Sequence, residues 1–442
     1  MKVRILSPDL YTYGAMLIGG ILQDEGVEVT LARSFEPCPE KVLLLSLYST
    51  QHLLDTRIRD FVAQHREDGG LCYAGGPVSS APDMVLGELG VDAVVVGEGE
   101  NAVVPLVRQG VSPEIPGIAY RGGDRIVVQA PVPPANLDRP LPLIPDDIGN
   151  QSIRGANAYI ESHRGCLGGC TFCQVPRFFG REIRSRGISE VLREVRAFRE
   201  KGARRISISG GTGSLYCSRD GKLNPGAFID LLSGMAEIMG RANVSAPDIR
   251  VDCITDEILD AIRKYTIGWV FFGIESGSDR ILSQMAKGVS VSQAKDAIEA
   301  CRSHGLKVAG SFIVGYPTET DEDYAASREF IAEQCLDDVF VSIAEPIPGT
   351  PLARLVLRTP RDENPLFRPD NGEYRSFGLS IAEARCFELM MDADIYKPRL
   401  HVVTDQVFDL YLKEARKQGA EIRAVTDLLS RYSESNLQPD CE

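Results

Sequence analysis

Three unevenly spaced cysteines constrain this chain more than any other feature. They lie in the stretch Cys166-Leu167-Gly168-Gly169-Cys170-Thr171-Phe172-Cys173. The two glycines in the longer gap allow the backbone to wrap closely around a bulky ligand. Three closely spaced thiolates can hold three irons of a four-iron cluster and leave the fourth open to a substrate. Zinc is the alternative, but it usually takes paired Cys or Cys/His elements, and no second pair follows. We therefore predict a 4Fe-4S cluster on Cys166, Cys170 and Cys173.

Composition limits the partners and the compartment. The chain has 442 residues, enough for two or three domains, and a net charge of −14. Nucleic-acid binding needs a basic surface, so we expect no nucleic-acid partner. The eight cysteines outside the motif are dispersed, which is not the pattern of a disulfide framework. The chain shows no signal peptide and no apolar run of transmembrane length, so we expect a cytoplasmic protein without a membrane partner.

The first 128 residues alternate between short apolar strands and helical stretches. This alternation predicts an α/β domain with a doubly wound, Rossmann-like parallel sheet that binds ligands at the carboxyl ends of its strands. The expected strands are Val3–Leu6, Val27–Leu31, Val42–Leu47, Leu71–Ala74 and Ala93–Val96. Glycines follow two of these strands, at Gly75-Gly76 and at Gly97-Glu98-Gly99-Glu100. Spacing alone fits ligand contact and ordinary strand–helix turns equally well.

Six prolines mark a linker that we place at residues 129–152. Such a segment is semi-rigid, and it either positions one domain over the other or only tethers them. Strand–helix alternation returns at residues 153–351. Six units predict a partial (βα)6 barrel with its functional residues at the carboxyl ends of the strands. The expected strands are Ala158–Ser162, Arg205–Ser209, Asp248–Asp252, Trp269–Ile274, Lys307–Val314 and Asp338–Ala344. The helices expected between the barrel strands include Ile188–Glu200. Residues 352–442 are mostly helical in pattern, over Ile381–Ala393 and Gln406–Gln418, with a polar tail after Tyr432, and they form either a substrate-facing cap or an extra packing layer.

The cysteine motif, with Phe172 directly before the third cysteine, resembles the signature of the radical S-adenosylmethionine (SAM) enzymes. The resemblance implies that the open iron binds SAM and that electron transfer cleaves it to a 5′-deoxyadenosyl radical. Segments after three barrel strands resemble the SAM-binding motifs of this family, although the first lacks an acidic residue often found there. The implied SAM contacts are Phe172, Gly210, Gly211, Glu275, Ser276 and Gly315. Capping of the following helix is the alternative role for Glu275.

The N-terminal domain resembles the cobalamin-binding domains fused to some radical SAM enzymes. The implied cobalamin contacts are Tyr11, Ser46, Thr50, Gly75, Gly76, Gly97, Glu98, Gly99 and Glu100. Cobalamin domains of the histidine-ligated type carry histidine where this chain has Tyr11, and a neutral tyrosine is a poor cobalt ligand compared with imidazole. We therefore expect base-off cobalamin with no protein histidine below the cobalt. His52 is an alternative ligand, but we interpret it as a surface histidine at a helix start.

The two resemblances together imply a cobalamin-dependent radical SAM methyltransferase. Such an enzyme methylates an unactivated sp3 carbon by means of the 5′-deoxyadenosyl radical and methylcobalamin, and it needs a low-potential electron donor. Size and domain order are most similar to archaeal methyltransferases of methyl-coenzyme M reductase. That similarity implies a glutamine of its α subunit as the target.

Other functions stay open at this point. Another peptide residue, a small molecule or a tetrapyrrole would suit a cobalamin-dependent radical enzyme with the same two domains. A methylthiotransferase would carry three further cluster cysteines in its N-terminal domain, where only Cys38 and Cys72 occur. A cobalamin sensor would need only the N-terminal domain, so it would have no use for the cysteine triad.

Overall fold

The alternating apolar stretches at the start of the chain build a seven-stranded sheet. The computed structural model describes residues 1–246, 248–399 and 402–433. The strands of this sheet are β1 Lys2–Leu6, β2 Glu28–Ala32, β3 Val42–Ser46, β4 Leu71–Gly75, β5 Ala93–Val95, β6 Ile118–Gly122 and β7 Arg125–Val128. They lie in the order β2-β1-β3-β4-β5-β6-β7, and β1 to β5 are parallel. The helices are α1 Tyr13–Asp24, α2 Thr56–Glu67, α3 Pro82–Leu89 and α4 Glu100–Gln109.

The central strands are buried on both faces, which explains their continuous apolar sequence. Val42, Leu43, Leu44 and Leu45 of β3 are all buried, as expected for a parallel strand covered by helices on each side. The β6–β7 hairpin was not predicted. Its strand β6 pairs antiparallel with β5, and β6 and β7 are joined by the two residues Gly123-Asp124, a sequence typical of a tight hairpin turn.

The central domain is the partial barrel that the sequence predicts. Its strands are β8 Ala158–Glu161, β9 His163–Arg164, β10 Arg184–Ser185, β11 Ile206–Ser209, β12 Val244–Ser245, β13 Asp248–Ile249, β14 Trp269–Glu275, β15 Lys307–Val314 and β16 Asp338–Ile343. β8, β11 and β12 form one parallel sheet, and β13 to β16 form another. The expected third strand, Asp248–Asp252, is present only as the short β13, which pairs with β14, and β12, which was not expected, precedes it and pairs with β11.

Helices alternate with the strands of the barrel. They are α5 Val175–Phe178, α6 Ile188–Glu200, α7 Pro225–Met239, α8 Asp256–Tyr265, α9 Asp279–Gln284, α10 Val291–Ser303, α11 Asp321–Gln334 and α12 Pro351–Arg358. The buried faces of α6 and α7 meet those of the strands in one apolar core. The short strands β9 and β10 form an antiparallel ribbon on either side of the cysteine loop.

The C-terminal region consists of α13 Ile381–Ile395 and α14 Asp405–Arg431, and α14 is longer than the sequence predicted. The end of α14 joins the N-terminal domain: Val425, Leu428 and Leu429 belong to the apolar core formed by α2 and α3. The Tyr432 hydroxyl donates to a Glu88 carboxylate oxygen at 2.9 Å. The C-terminal helix therefore packs on both domains. The expected polar tail, from residue 434 on, lies outside the described residues.

The proline-rich linker packs along the first helix of the chain. The Leu143 backbone N–H donates to the Met16 carbonyl at 2.7 Å, and Leu137, Ile144 and Ile148 are buried. These contacts fix the path of the linker between the two sheets. Among the described residues, no helix has the length and apolar character needed to cross a membrane.

Candidate active site

The carboxyl ends of the N-terminal strands face those of the barrel across a cavity of about 310 Å³, called here the interdomain cavity. Seven of the expected cobalamin contacts line it: Ser46, Gly75, Gly76, Gly97, Glu98, Gly99 and Glu100. The barrel contributes Glu161, Arg164, Phe178, Phe179 and Ser209. The loops that the sequence singled out in two separate domains thus share one space.

The cavity extends into the N-terminal domain, between its sheet and two of its helices. Its apolar lining there includes Leu44 and Tyr73 from the strands, Leu17 from α1, and Val103 and Leu106 from α4. A deep, apolar slot of this kind suits a flat organic group rather than an ion.

Glycine is required at residue 76 because two loops approach each other closely there. Its φ is +99°, and a Cβ at this position would lie 2.5 Å from the Leu47 carbonyl oxygen. The loops after β3 and β4 therefore touch through backbone at the mouth of the cavity. Any side chain at residue 76 would push them apart.

Tyr11 does not line the cavity. Its ring lies under the Arg33 guanidinium at 4.4 Å, and its backbone N–H donates to the Gln151 side chain at 2.7 Å. Burial and the neighbouring Asp147 raise the pKa of the Tyr11 phenol. This tyrosine fills the interface between the N-terminal domain and the linker, where it has a packing role.

Thr50 and His52 also lie outside the cavity lining. Both belong to a short 3₁₀ turn, Thr50–Leu53, that precedes α2. His52 is buried, so the expectation of a surface histidine is wrong. Its ring meets the edge of Tyr48 with 4.5 Å between ring centroids, and burial lowers the pKa of its imidazole. The sequence does not distinguish this turn from the start of α2, so it predicted an exposed position for His52.

The cysteine loop forms a compact cradle. A Cβ at Gly168 would lie 3.1 Å from an Arg250 guanidinium nitrogen and in ordinary contact with the Cys166 and Cys170 sulfurs, at 3.5 and 3.6 Å, so the two sulfurs and Arg250 converge on this glycine. The Arg177 guanidinium donates to the carbonyls of Cys170 and Cys173, at 3.0 and 2.5 Å. These bonds hold the loop in a tight turn without using the thiols.

The charges around the loop favour bound thiolates. Burial raises the pKa of Cys173 to about 11 and also raises that of Cys170, while Lys287 and Arg250 lower the pKa of Cys170. A metal must displace the protons of buried thiols, and nearby cations reduce the cost of the resulting negative charge. In the described part of the chain, no three His, Cys, Asp or Glu side chains are grouped as ligands of a single metal ion. The open cradle and the cations fit a larger anionic cluster.

Gly211 brings the loop after β11 against the cysteine loop. A Cβ at Gly211 would lie 2.7 Å from the Cys166 Cβ and 2.6 Å from the Gly165 carbonyl oxygen. Gly210 lies directly over the His163 ring, which is buried and hydrogen-bonds to the Ser162 hydroxyl at 3.0 Å. Burial lowers the pKa of His163 to about 4, so its ring is neutral at physiological pH.

Glu275 ends β14 at a β-bulge, with a φ of +70° that is unusual for a non-glycine residue. Its carboxylate accepts from Lys287 Nζ at 2.7 Å and from the Ser311 hydroxyl at 3.2 Å. Lys287 also lies over the Phe172 ring, 5.9 Å from its centroid. A buried ion pair thus lies beside the cysteine loop, at a strained strand end.

Ser276 and Gly315 have structural partners. The Ser276 hydroxyl is buried 3.3 Å from the Ser327 hydroxyl, and the Gly315 backbone N–H donates to Glu319 at 2.8 Å. Sequence reasoning missed Lys287. It belongs to no motif, and the only signal was a basic residue shortly after the short helix α9.

Buried charges connect the two domains. Arg164, two residues before Cys166, forms ion pairs with Glu98, with Glu100 at 2.5 Å and with Glu161 at 3.0 Å. Burial alone would lower the pKa of Arg164, but the three carboxylates raise it. Arg139 of the linker pairs with Glu161 at 2.7 Å. We call these five side chains the interdomain ion network.

Comparisons with known proteins agree with this arrangement. Residues 160–331 match the Radical SAM superfamily. The chain is 52% identical to "Putative methylthiotransferase MJ0865" of Methanocaldococcus jannaschii, over 99% of this chain and 98% of that protein. It is 35% identical to the tRNA-2-methylthio-N(6)-dimethylallyladenosine synthase of Acidithiobacillus ferrooxidans, over 46% of this chain and 45% of that protein.

Two solved structures share the fold. The radical SAM methyltransferase TsrM of Kitasatospora setae, solved with cobalamin and a [4Fe-4S] cluster bound, superposes with a TM-score of 0.70 at 14% identity, covering 96% of this chain and 99% of TsrM. The cobalamin-dependent SAM radical enzyme OxsB, with aqua-cobalamin and SAM bound, gives 0.66 at 16% identity, covering 99% of this chain and 76% of OxsB. This chain is therefore a radical SAM enzyme of the same family as the M. jannaschii protein, with the fold of the cobalamin-dependent radical SAM methyltransferases.

Proposed function

We propose that this protein is a cobalamin-dependent radical SAM C-methyltransferase that acts on an unactivated sp3 carbon. The observation that carries the proposal is the interdomain cavity. Its lining joins the glycine loops of the N-terminal domain to Arg164, which lies two residues before the cluster cysteines. The cavity supports the proposal because the loops expected to bind cobalamin and the strand that leads to the expected cluster cysteines line one space.

The residues present fit both cofactors. Cys166, Cys170 and Cys173 would hold the cluster, and the cations Lys287 and Arg250 lie close enough to Cys170 to favour its thiolate. Gly76 and the apolar part of the interdomain cavity would hold cobalamin, with no histidine supplied from residue 11. When bound, the cluster with SAM supplies hydrogen abstraction and cobalamin supplies the methyl group.

The protein's own groups bind, orient and exclude water. Glu275 offers a carboxylate beside the cysteine loop for the ribose hydroxyls or the ammonium of SAM, and Lys287 fixes the direction of that carboxylate. Phe178 and Phe179 pack edge to face, 4.8 Å apart, and both line the cavity. Apolar walls of this kind keep water away from reactive intermediates.

We further propose that the substrate is a glutamine in the α subunit of methyl-coenzyme M reductase, in a reducing cytoplasm with a low-potential electron donor. This part rests on the similarity of size and domain order. The test is anaerobic: reconstituted protein, cobalamin, SAM, a low-potential reductant and a glutamine-containing peptide of that subunit. We expect one methyl group on the glutamine, together with 5′-deoxyadenosine and S-adenosylhomocysteine.

The possible results test the radical chemistry and the glutamine assignment separately. Deoxyadenosine without peptide methylation would contradict the glutamine assignment and leave the radical chemistry intact. A verified cluster that produces no deoxyadenosine would contradict the proposal as a whole.

Methylthio transfer is the second candidate, because the relative at 52% identity carries that name. A methylthiotransferase is expected to carry a second cluster on three further cysteines of its N-terminal domain. This chain has Cys38 and Cys72 there; Cys72 is buried within β4, and burial raises the pKa of both thiols. Mass spectrometry of the product distinguishes an added methyl from an added methylthio group.

A further inference from the structure

A second cavity lies at the free edge of the barrel, away from the interdomain cavity. Its volume is about 350 Å³, and it is lined by β16, α13, α14 and Arg154, which precedes β8. Because β8 and β16 are the first and last strands of the barrel, this cavity opens at the seam between them. We call it the seam cavity.

The outer edge of β16 is only partly satisfied. The Gln418 side chain of α14 accepts from the Ile343 N–H at 3.0 Å and donates to the Val341 carbonyl at 3.3 Å. In a parallel strand alternate residues direct their backbone groups to the same edge, so the Val339 carbonyl and the Val341 N–H face outward as well. Within the described part of the chain neither group has a hydrogen-bond partner, and both residues line the seam cavity.

One large exposed apolar side chain lines this opening: Phe340 is 39% exposed. Ile395, Tyr396 and Leu410, which are sequence neighbours of the lining residues Asp394 and Tyr411, are also exposed. Exposed apolar side chains of this size are available for a protein–protein contact.

The cavity wall is acidic. Asp338, Asp394 and Glu414 line it, and Lys397 pairs with the first two at 3.4 and 2.7 Å. The other lining cation, Arg154, is paired with Asp248 at 3.5 Å. Three lining carboxylates against two lining cations, of which Arg154 is already paired outside the cavity, leave the wall with an excess of negative charge, which attracts a basic ligand.

We propose that the seam cavity is a docking site for an extended, basic peptide segment of a protein substrate. The segment pairs with the free edge of β16 through the Val339 carbonyl and the Val341 N–H, as in strand addition to an exposed sheet edge. Its lysine or arginine side chains face the acidic wall, and its apolar side chains contact Phe340. The site holds the substrate at a distance from the reacting carbon, so it affects binding rather than chemistry.

The test uses the full-length protein with its cluster reconstituted, and two fluorescein-labelled peptides, Lys-Val-Lys-Val-Lys and Glu-Val-Glu-Val-Glu. Fluorescence anisotropy measures binding without SAM or cobalamin, so the result does not depend on the proposed methyl transfer. We expect the basic peptide to bind at least tenfold more tightly than the acidic peptide. Backbone N-methylation of the basic peptide is expected to abolish binding.

A substitution at Val341 in β16 tests whether the peptide binds at the free edge of this strand. Val341→Pro removes the outward N–H and leaves the hydrogen bonds to β15, because proline is tolerated on an edge strand when its nitrogen faces outward. We expect at least a tenfold loss of affinity in Val341→Pro and little change in the matched control Val341→Ala. Equal binding of the two peptides, binding that survives N-methylation, or equal affinity of the two variants would overturn the proposal. If Val341→Pro does not fold, the N-methylated peptide with the unaltered protein still decides it.

Discussion

At the scale of single residues, the buried pair Glu275–Lys287 defines the chemistry beside the cysteine loop. Both side chains are less than a tenth exposed, and their charged atoms are 2.7 Å apart. Lys287→Met leaves a buried carboxylate with only the Ser311 hydroxyl, which is expected to lower the free energy of unfolding by about 3 kcal/mol. Urea unfolding under anaerobic conditions measures the change.

Two further variants make this prediction specific. The double variant Glu275→Gln, Lys287→Met removes both charges and is expected to recover most of the loss. Lys295→Met breaks an exposed pair with Glu333 and is expected to cost less than about 1 kcal/mol. A Lys287→Met protein as stable as Lys295→Met would show that the buried pair contributes nothing.

His163 makes stability depend on pH. Its folded pKa of about 4 lies below the ordinary value of 6.5, so the unfolded chain binds the proton more readily. The contribution of the neutral His163 ring to the free energy of unfolding is therefore fully present above the unfolded pKa of 6.5, and it is lost as the pH falls toward 4. Between pH 7.5 and 5 the loss is about 2 kcal/mol.

Thermal or urea unfolding at several pH values tests this, with His163→Gln as the comparison. The variant is expected to show a shallower decline of stability between pH 7 and 5. His304→Gln is the control, because this partly buried histidine pairs with Asp260 and Asp256 and its pKa is raised, which gives the opposite sign. Parallel curves for His163→Gln and the unaltered protein would contradict the assignment.

At the scale of elements, the loop after β4 depends on Gly76. Gly76→Ala combines an unfavourable positive φ with a contact of 2.5 Å to the Leu47 carbonyl oxygen, so the loops after β3 and β4 must separate. We expect at least a tenfold loss of cobalamin affinity, measured by visible absorption after desalting. Gly69→Ala is the matched control: its φ of +82° is also positive, but a Cβ there meets nothing within 4 Å. Equal cobalamin retention in both variants would place the cofactor elsewhere.

The elements that sequence could predict are those with a strong local pattern. Strands such as Val42–Ser46 and helices such as Ile188–Glu200 follow from apolar runs or helical periodicity, and the structure has them at nearly the expected bounds. The motifs also placed the cysteines and glycines at strand ends. Parallel topology then brings those ends together, so Gly76, Gly97 and Glu98 line one cavity as a consequence of strand order.

What sequence could not supply depends on contacts between distant segments. The Lys287 side chain reaches Glu275 only because the chain turns after α9, and no local pattern encodes that turn. His52 is buried and packs its ring against Tyr48, whereas the sequence pattern predicted a surface position at a helix start. The full length of α14 was missed because its last turns are stabilised by the N-terminal domain, through residues such as Leu429.

At the scale of the whole molecule, the interdomain ion network joins the loops that we propose to bind cobalamin to the strand that precedes the cysteine loop. Arg164 and Glu98 are both less than a tenth exposed, and Arg164 is the ion-pair partner of Glu100 among the described residues. Arg164→Met would leave Glu100 buried without a cation, a change that costs about 3 to 5 kcal/mol. The ion pairs of Arg164 with Glu98 and Glu100 lie between the two domains, so their loss weakens the contact between the domains. We therefore expect the domains to separate before either one unfolds.

Limited proteolysis reports that separation, because Ile144 and Ile148 of the linker pack in the apolar core of the barrel and lose that contact when the domains separate. We expect cleavage within residues 129–152 to be at least tenfold faster in Arg164→Met, and the ratio of methylated product to 5′-deoxyadenosine to fall. Arg164→Lys keeps the charge and is expected to recover part of both losses. Arg108→Met, which breaks an exposed pair with Glu25 inside one domain, is expected to change neither. Unchanged proteolysis in Arg164→Met would show that helix α14 and the packed linker hold the domains together without the network.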